Sequence, residues 1–477
     1  MIKVWKKKEV LRVKKDISIQ DEYVTSRNNS KEIVFNFDND NRFELLVPKT
    51  VYPPRKDSEM LADCINNLGE PNGRAMEIGC GTGLISIILA KNGWKVEAFD
   101  INPYAVISTE ENISRASVKQ SISVNEGGLG EKNFSISEDT TLIVWNLPYL
   151  TPPSEGEPKL EWIEEASMSD LEGDGWGHHL ADFLDINREV SNPGLLVLLL
   201  QRKFPKSPST TKYWSDLGWS HRILKSKWLY DEKLEVVAYW RPGLGILPRK
   251  LQTCNSTMDE AKKLPENGWQ RVTTMSQTSG RGRRKSQWIS KNEDLLATWS
   301  IPKTILKELD PGLLQVLIGA KISEIIGRYC KWPNDIVDQN GEKVGGVLIE
   351  MDSESKNLRI GLGINQFGAI IGDLKIRGWK ETTPELGLDT LFSIIDAELS
   401  TLFEDHPLLP TNIDLEVIKS ESWRSLTKLL SRGYSLNSEH RSSRVTKLNL
   451  NGELSIISNE QQEDLHDLDL FNWSFNA

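Results

Sequence analysis

Met76-Glu77-Ile78-Gly79-Cys80-Gly81-Thr82-Gly83 lies between Arg74–Ile78, which reads as a strand, and Leu84–Asn92, which reads as a helix. Alternate glycines at a strand-to-helix turn leave the backbone bare of Cβ atoms, so a ligand can come directly against it. The next strand-like run is Lys95–Phe99, and Asp100 ends it. That spacing is close to the one at which a carboxylate meets ribose hydroxyls. Further along, Thr141–Trp145, Leu195–Leu200 and Leu234–Trp240 read as strands and His179–Val190 as a helix. Strands alternating with helices imply a parallel sheet covered on both faces. A Gly-rich turn without a ligand is the plainer alternative.

Outward from this core, 477 residues are enough for two or three domains. A net charge of -10 argues against nucleic acid as the main partner, so no DNA is expected. Cys64, Cys80, Cys254 and Cys330 are far apart, which fits a reducing cytoplasm better than a disulfide framework or a zinc site. Lys3, Lys6, Lys7 and Lys8 have no apolar stretch behind them, so no signal peptide is expected. Leu195–Leu200, the longest apolar run, is too short to span a bilayer, and no membrane partner is expected. Arg241-Pro242-Gly243-Leu244-Gly245-Ile246-Leu247-Pro248 reads as a linker. Leu388, Leu391, Phe392, Ile395, Leu399 and Leu402 form one helical stripe. Val445–Leu450, Asn451-Gly452 and Leu454–Ile457 predict a hairpin with a type I′ turn in a small terminal β module. The expected divisions are an N-terminal extension over 1–35, a first domain over 36–240, a linker over 241–249, a second domain over 250–435 and the β module over 436–477.

With Glu77 ahead of the glycines, the G-x-G-x-G pattern resembles class I methyltransferases that bind S-adenosylmethionine. Asn146-Leu147-Pro148-Tyr149 follows the strand ending at Trp145 and resembles the Asn-Pro-Pro-Tyr of amino-methyltransferases. An amide nitrogen is a poor nucleophile and must be held by acceptors facing the methyl group. The Asn146 side-chain oxygen and the carbonyl after it supply two acceptors, and the Tyr149 ring packs the planar group. Leu147 departs from the pattern and loses the φ restraint of proline. Val51-Tyr52-Pro53-Pro54-Arg55-Lys56-Asp57-Ser58 resembles the lead-in of release-factor glutamine methyltransferases, where it lies over the cofactor. The resemblance covers roughly 45–200. It implies S-adenosylmethionine at Glu77, Gly79, Gly81, Gly83 and Asp100, and a methyl acceptor at Asn146, Pro148 and Tyr149. It also places an adenine-holding acid near 120–140, a stretch in which Gly127-Gly128-Leu129-Gly130 is diverged.

Five segments mark the second domain: Asn255-Ser256-Thr257-Met258; Gln277 with Gly280-Arg281-Gly282-Arg283-Arg284; Lys331-Trp332-Pro333-Asn334-Asp335; Val344-Gly345-Gly346-Val347-Leu348-Ile349-Glu350; and Ile360-Gly361-Leu362-Gly363-Ile364-Asn365. Alone, Gly280–Arg284 fits a solvated basic loop or an RNA-binding tract as well. Together, in this order, they resemble the catalytic domain of biotin protein ligases from about 250 to 370. Biotin's carboxylate must meet the α-phosphate of ATP, and two anions meet only among cations. The resemblance implies Lys331, Arg281 and Arg283 as those cations. It implies Ser256, Thr257 and Gln277 as hydrogen-bonding partners of biotin. It adds Gly280, Gly345, Gly346, Gly363 and Asn365 where strands pass the ligands, and Asn334 and Asp335 near the Mg²⁺ nucleotide, with no metal held by protein ligands alone. Lys285 and Ser286 replace the Gly and Arg of the family's loop, while Trp288 is kept.

The implied architecture is an α/β, Rossmann-like methyltransferase with a mostly parallel sheet. An α+β biotin/lipoate ligase-type domain and a small C-terminal β module follow. The implied chemistry is formation of biotinyl-5′-AMP from biotin and ATP and its transfer to a lysine of a biotin carboxyl carrier protein. Beside it stands methylation of a protein amide, with release-factor glutamine as first choice. Pairing of two copies through the catalytic sheet is expected by the same resemblance. The alternatives are a lipoate ligase and a chain that keeps one or both folds for binding or scaffolding alone.

Overall fold

The computed structural model describes residues 30–36, 42–150, 170–171, 173–289, 293–371, 374–410, 414–438, 441–468 and 471–475. Lys3, Lys6, Lys7 and Lys8 lie outside them, with most of the expected N-terminal extension. Two compact units are present. One takes in residues up to Leu180 with Val197–Ser209 and Leu224–Val237; the other takes in Ala181–Leu196, Thr210–Ile223 and residues from Ala238 on.

The first half begins with an antiparallel hairpin, β1 (Ser30–Asn36) and β2 (Arg42–Pro48). Then follow α1 (Lys56–Asn66), β3 (Arg74–Ile78), α2 (Leu84–Lys91), β4 (Lys95–Asp100), α3 (Pro103–Arg115), β5 (Ile122–Glu126), β6 (Thr140–Asn146), α4 (Trp176–Ile186), β7 (Leu196–Phe204), α5 (Thr211–Asp216), β8 (Ser220–Leu229) and β9 (Glu232–Trp240). The strands form one sheet in the order β5-β4-β3-β6-β7-β9-β8. The central strand β3 runs parallel to both β4 and β6. Chain order therefore reverses beside β3, and the carboxyl ends of β3, β4 and β6 open a crevice where ligands bind in such sheets. β6 is buried along nearly its whole length, as an apolar strand covered on both faces should be. α3 starts cleanly because Asn102 accepts from the Tyr104 amide and Pro103 fills the first turn.

The expected helix His179–Val190 instead spans Trp176–Ile186. Its first amide, at Trp176, is taken by the Asp170 carboxylate at 3.0 Å. That partner lies in a preceding loop, where no capping pattern in the sequence marks it. Arg241–Pro248 is a tied-down turn: Arg271 donates to the Pro242 and Ile246 carbonyls, and the Gly243 amide donates to Glu404.

The second half contains β10 (Arg249–Cys254), α6 (Thr257–Ala261), β11 (Gln270–Gln277), β12 (Gly280–Arg281), β13 (Gln287–Trp288), β14 (Leu295–Pro302), α7 (Pro311–Ile325), β15 (Tyr329–Lys331), β16 (Asp335–Val337), β17 (Lys343–Met351) and β18 (Asn357–Ile364). Then come β19 (Ala369–Ile371), β20 (Leu374–Ile376), α8 (Leu388–Phe403) and α9 (Leu415–Leu430). The main sheet runs β10-β11-β14-β18-β17-β16-β15. α7 is apolar nearly all round, so it is a core helix, capped by Asp310 with Pro311 behind it. The predicted stripe forms α8, with Leu391, Ile395 and Leu399 fully buried.

Five more strands close the chain: β21 (Tyr434–Ser438), β22 (Arg441–Leu448), β23 (Leu454–Ser458), β24 (Gln461–Leu465) and β25 (Asn472–Phe475). They form their own sheet, β24-β23-β22-β21-β25. Leu436, Leu448, Leu454, Ile456, Leu465 and Phe471 nevertheless share one hydrophobic core with α7 and the main sheet. The hairpin turn differs from the expected type I′. Gly452 donates to the Asn449 carbonyl and Asn449 pairs with Glu453, so three residues form the loop. Gly452 has φ +83°, and Asn451 is not left-handed. This is a type I turn closed by a left-handed residue. A Cβ at Gly452 would meet the backbone of Gly312 at 2.2 Å, which explains the glycine.

Candidate functional site

A cavity of about 460 Å³ lies at the carboxyl ends of β3, β4 and β6. Its floor is the glycine turn, where Gly79, Gly81 and Gly83 all take positive φ (69°, 54° and 74°). Side-chain-bearing residues rarely adopt that conformation. Asp100 ties the turn to β4: one oxygen accepts the Gly81 amide and the other the Asn102 amide, each at 2.9 Å. Burial raises the Asp100 pKa, and these hydrogen bonds oppose it. Glu77 and Asp100 both line the cavity, as do Gly79 and Gly81. Gly83 packs beneath, where a Cβ would strike Thr109 at 2.8 Å. In the 120–140 stretch the lining comes from Gly127, Gly128 and Leu129, without an acid. Val51, Tyr52, Pro53, Pro54 and Ser58 of the lead-in also line it.

Asn146 enters the same cavity with Pro148. Its amide nitrogen donates to Asp57 Oδ2 at 3.0 Å. A carboxylate oxygen only accepts, so Asp57 fixes which way the Asn146 amide faces. The Asn146 Oδ1 is then buried and has no hydrogen-bond partner among the described residues. Tyr149 is buried outside the lining. The aromatic walls are Trp145 and Trp176, with ring centroids 6.0 Å apart. Asp57 and both tryptophans had no role in the sequence reading; Asp57 sat inside the quoted lead-in, and Trp145 directly precedes Asn146.

Replacing Asp100 with alanine is expected to weaken S-adenosylmethionine binding by roughly ten- to a hundredfold, since hydrogen bonds to a charged acceptor are lost. Calorimetry on the purified chain measures it, and an unchanged affinity would show the turn to be misread. Glu77 is fully buried and accepts from the Ser86 hydroxyl. Burial raises its pKa from 4.5 to about 8. The folded chain thus keeps a proton that the unfolded chain loses near 4.5, and stability falls as pH rises between the two values. The slope is at most about 1.4 kcal/mol per pH unit. Urea unfolding at about pH 5.5 and about pH 7.5 should show the loss, and Glu77→Gln should flatten it.

A second cavity, of about 250 Å³, lies against β17 and β18. Ser256, Thr257, Gln277, Arg281, Arg283, Asn334, Asp335, Gly346 and Gly363 all line it. Thr257 is fixed from two sides: its amide and hydroxyl donate to Gln277 Oε1, and its hydroxyl accepts from Thr298. Ser256 caps α6. The Arg loop is a hairpin in which Gly280 faces Trp288, so close that a Cβ there would meet the Trp288 carbonyl at 2.6 Å. The Lys285 side chain lies outside the described residues. The Trp288 ring lies over Gly363.

Four of the expected residues stand apart from this lining. Gly280 packs behind the loop, and Gly345 sits against the Gly363 carbonyl. Asn365 donates to the Lys343 and Arg377 carbonyls. Lys331 pairs with Asp335 across β15 and β16. Burial lowers the Lys331 pKa; Asp335 opposes this and Lys343 adds to it. Lys343 is the cation that sequence reasoning missed. It lines the cavity, ion-pairs with Asp335 at 2.7 Å and lies over the Trp288 ring. It stands immediately before the quoted Val344-Gly345-Gly346 and could have been read there. Among the described residues, no group of three His, Cys, Asp or Glu could hold a metal ion. No described helix is long and apolar enough to cross a membrane.

The model of the "Methyltransferase small domain" matches residues 55–166, and that of the "Biotin/lipoate A/B protein ligase family" matches residues 250–365. A Methanocaldococcus jannaschii protein, provisionally named protein N5-glutamine methyltransferase, is 33% identical over 200 residues, covering 42% of this chain and 95% of that protein. Biotin–protein ligase 1, chloroplastic, of Arabidopsis thaliana is 31% identical over 107 residues, or 19% of this chain and 27% of the relative. Among solved structures, biotin protein ligase from Aquifex aeolicus in complex with biotin and ATP is 22% identical, covers 48% of this chain and 99% of its own, and has a TM-score of 0.38. Fold, cavities and matches together define a methyltransferase domain followed by a ligase domain in one polypeptide. Through its N-terminal part the chain belongs to the protein N5-glutamine methyltransferase family, and residues 250–365 are a domain of the biotin/lipoate A/B protein ligase family.

Proposed function

We propose that this chain is a double protein-modifying enzyme. Residues 36–240 methylate a glutamine amide of a protein, and residues 250–435 activate biotin and transfer it to a lysine of a carrier protein, with 241–249 as the connection. The named activity of the Methanocaldococcus jannaschii relative supports the first part. The orphaned Oδ1 of Asn146 is the observation that carries it. An amide N–H donated to that oxygen both satisfies it and turns the nitrogen lone pair toward the cofactor's methyl group. S-adenosylmethionine, which the glycine turn and Asp100 would hold, would supply the methyl group, and Asn146, oriented by Asp57, would position the accepting nitrogen, which would lose one proton as it gains the methyl. Trp145 and Trp176 line the same cavity and would pack against the planar amide. A release-factor glutamine is the first candidate acceptor.

The ligase reading rests on one cavity that joins Thr257 and Gln277 to Arg281, Arg283 and Lys343. Thr257 and Gln277 suit a ureido ring, and the cations offset the charge of a carboxylate meeting a phosphate. In the first step a carboxylate oxygen forms a bond to the α-phosphorus and pyrophosphate leaves. In the second, a lysine amine of a biotin carboxyl carrier protein attacks the acyl carbon and AMP leaves. Asp335 and Asn334 line the cavity and would face the Mg²⁺ that ATP brings, which would offset charge on the phosphates. A cytoplasmic location fits both reactions.

Exchange of labelled pyrophosphate into ATP by the purified chain, with Mg²⁺, tests the ligase reading. Exchange that requires biotin is the expected result. Exchange with lipoate instead would move the substrate to the other branch of the family. No exchange from a folded sample that binds ATP would leave this half a binding domain.

A further inference from the structure

Arg283 stands on the rim of the ligase cavity, and its Nη2 donates to Asp467 Oδ2 at 2.9 Å. Arg284 reaches the same oxygen, at 2.8 Å from Nη2 and 3.1 Å from Nε. Consecutive side chains on extended backbone point to opposite sides. Here Arg284 takes φ +53°, which turns both guanidinium groups onto one carboxylate. That carboxylate is itself held. Its Oδ1 accepts the Leu468 amide at 2.8 Å, and Leu465 and Phe471 on either side are anchored in the hydrophobic core of the ligase half. Asp467 is thus a fixed anion supplied by the terminal β module.

Arg283 uses only Nη2 in this contact among the described residues. A guanidinium carries five N–H donors in one plane, so a carboxylate on one nitrogen leaves the rest for a second anion. Arg281 differs, because it already pairs with two carboxylates, Asp259 at 3.0 Å and Glu350 at 3.2 Å. Asp467 is shared between the two arginines, and Arg283 spends a single nitrogen on it.

We infer that Asp467 is a positioning residue for the nucleotide: it grips Arg283 by one nitrogen and so presents the remaining donors to the phosphates of ATP. This rests on the ligase reading above. It makes the terminal β module part of the ATP site and not of the biotin site.

The test compares the full-length wild type with Asp467→Asn, Asp467→Ala and Asp467→Glu. ATP and biotin binding are measured separately by calorimetry, and KM for each by pyrophosphate exchange. The expected result is ATP binding weakened about tenfold in the Asn and Ala variants, with biotin affinity and kcat nearly unchanged and most of the loss restored by Glu. Equal weakening of ATP and biotin, with a lowered unfolding temperature, would mean that Asp467 only supports the fold and would overturn the inference. Tighter ATP binding in Asp467→Asn would also overturn it, since the carboxylate would then compete with phosphate. Wild-type chain that binds ATP but shows no exchange would remove the ligase reading, while the ATP affinities still decide the placement of Arg283.

Discussion

Asn146→Ala is expected to slow methyl transfer to a protein amide by roughly 10²–10³ while S-adenosylmethionine affinity stays within about twofold. The split follows from the geometry. The proposed cofactor place is the glycine turn with Asp100, and among the described residues no hydrogen bond joins Asn146 to either. The Asn146 amide is held by Asp57, and its oxygen is the acceptor left over. Alanine removes that acceptor and leaves nothing to align the nucleophile. Single-turnover rates together with calorimetry for the cofactor check it. Equal loss of both would move Asn146 from the reacting amide to the scaffold. Leu147 bears on the same point. It is buried, and its amide is bonded to the Leu200 carbonyl at 3.1 Å, a bond that the proline usual at this place could not donate. The turn is therefore braced by a neighbouring strand where the pattern would have used a ring.

The second large effect is expected at Lys331. Lys331→Ala should lower biotin-dependent pyrophosphate exchange by roughly 10³ or more without unfolding the chain. Lys331 sits across from Asp335 on a short strand pair, and burial makes its charge costly unless an anion compensates. On the ligase reading the reacting carboxylate and phosphate would be such anions, reached through Asp335 at the cavity wall, since Lys331 itself is not in the lining. Lys343→Ala is the necessary companion, because Lys343 lines the cavity directly and pairs with the same Asp335. A larger loss in Lys343→Ala, with near wild-type exchange in Lys331→Ala, would transfer the role from one lysine to the other.

Much of the first half was legible in the sequence. β3 matches its expected bounds, and β4 and β6 fall within a residue of theirs; β6 shows as an unbroken apolar run, while β3 and β4 are short apolar stretches interrupted by Glu77 and Glu97 and bounded by the glycine turn and Asp100. The glycine turn and Asp100 were legible for the same local reason. What stayed hidden depends on partners distant in sequence. Trp176 begins α4 because of Asp170, and Asp57 acquires a role only when β6 brings Asn146 beside it. In the second half the motifs were visible but their sheet was not. β15 and β16 have three residues each, too few for a period to show. Lys343 escaped because a lone lysine before a glycine pair looks like surface until Asp335 and Trp288 surround it.

The residues that seal α7 against the tail give the ligase half a particular kind of indivisibility. Trp332 donates its indole N–H to the Gly452 carbonyl, and Trp473 donates back to the Trp332 carbonyl. Leu436, Leu454 and Ile456 complete the oil between them. A protease nick or an early stop codon near residue 433 would thus do more than shorten the tail. It would uncork the interior that keeps the Lys331–Asp335 turn in place, and the catalytic sheet and terminal sheet would melt as one cooperative body.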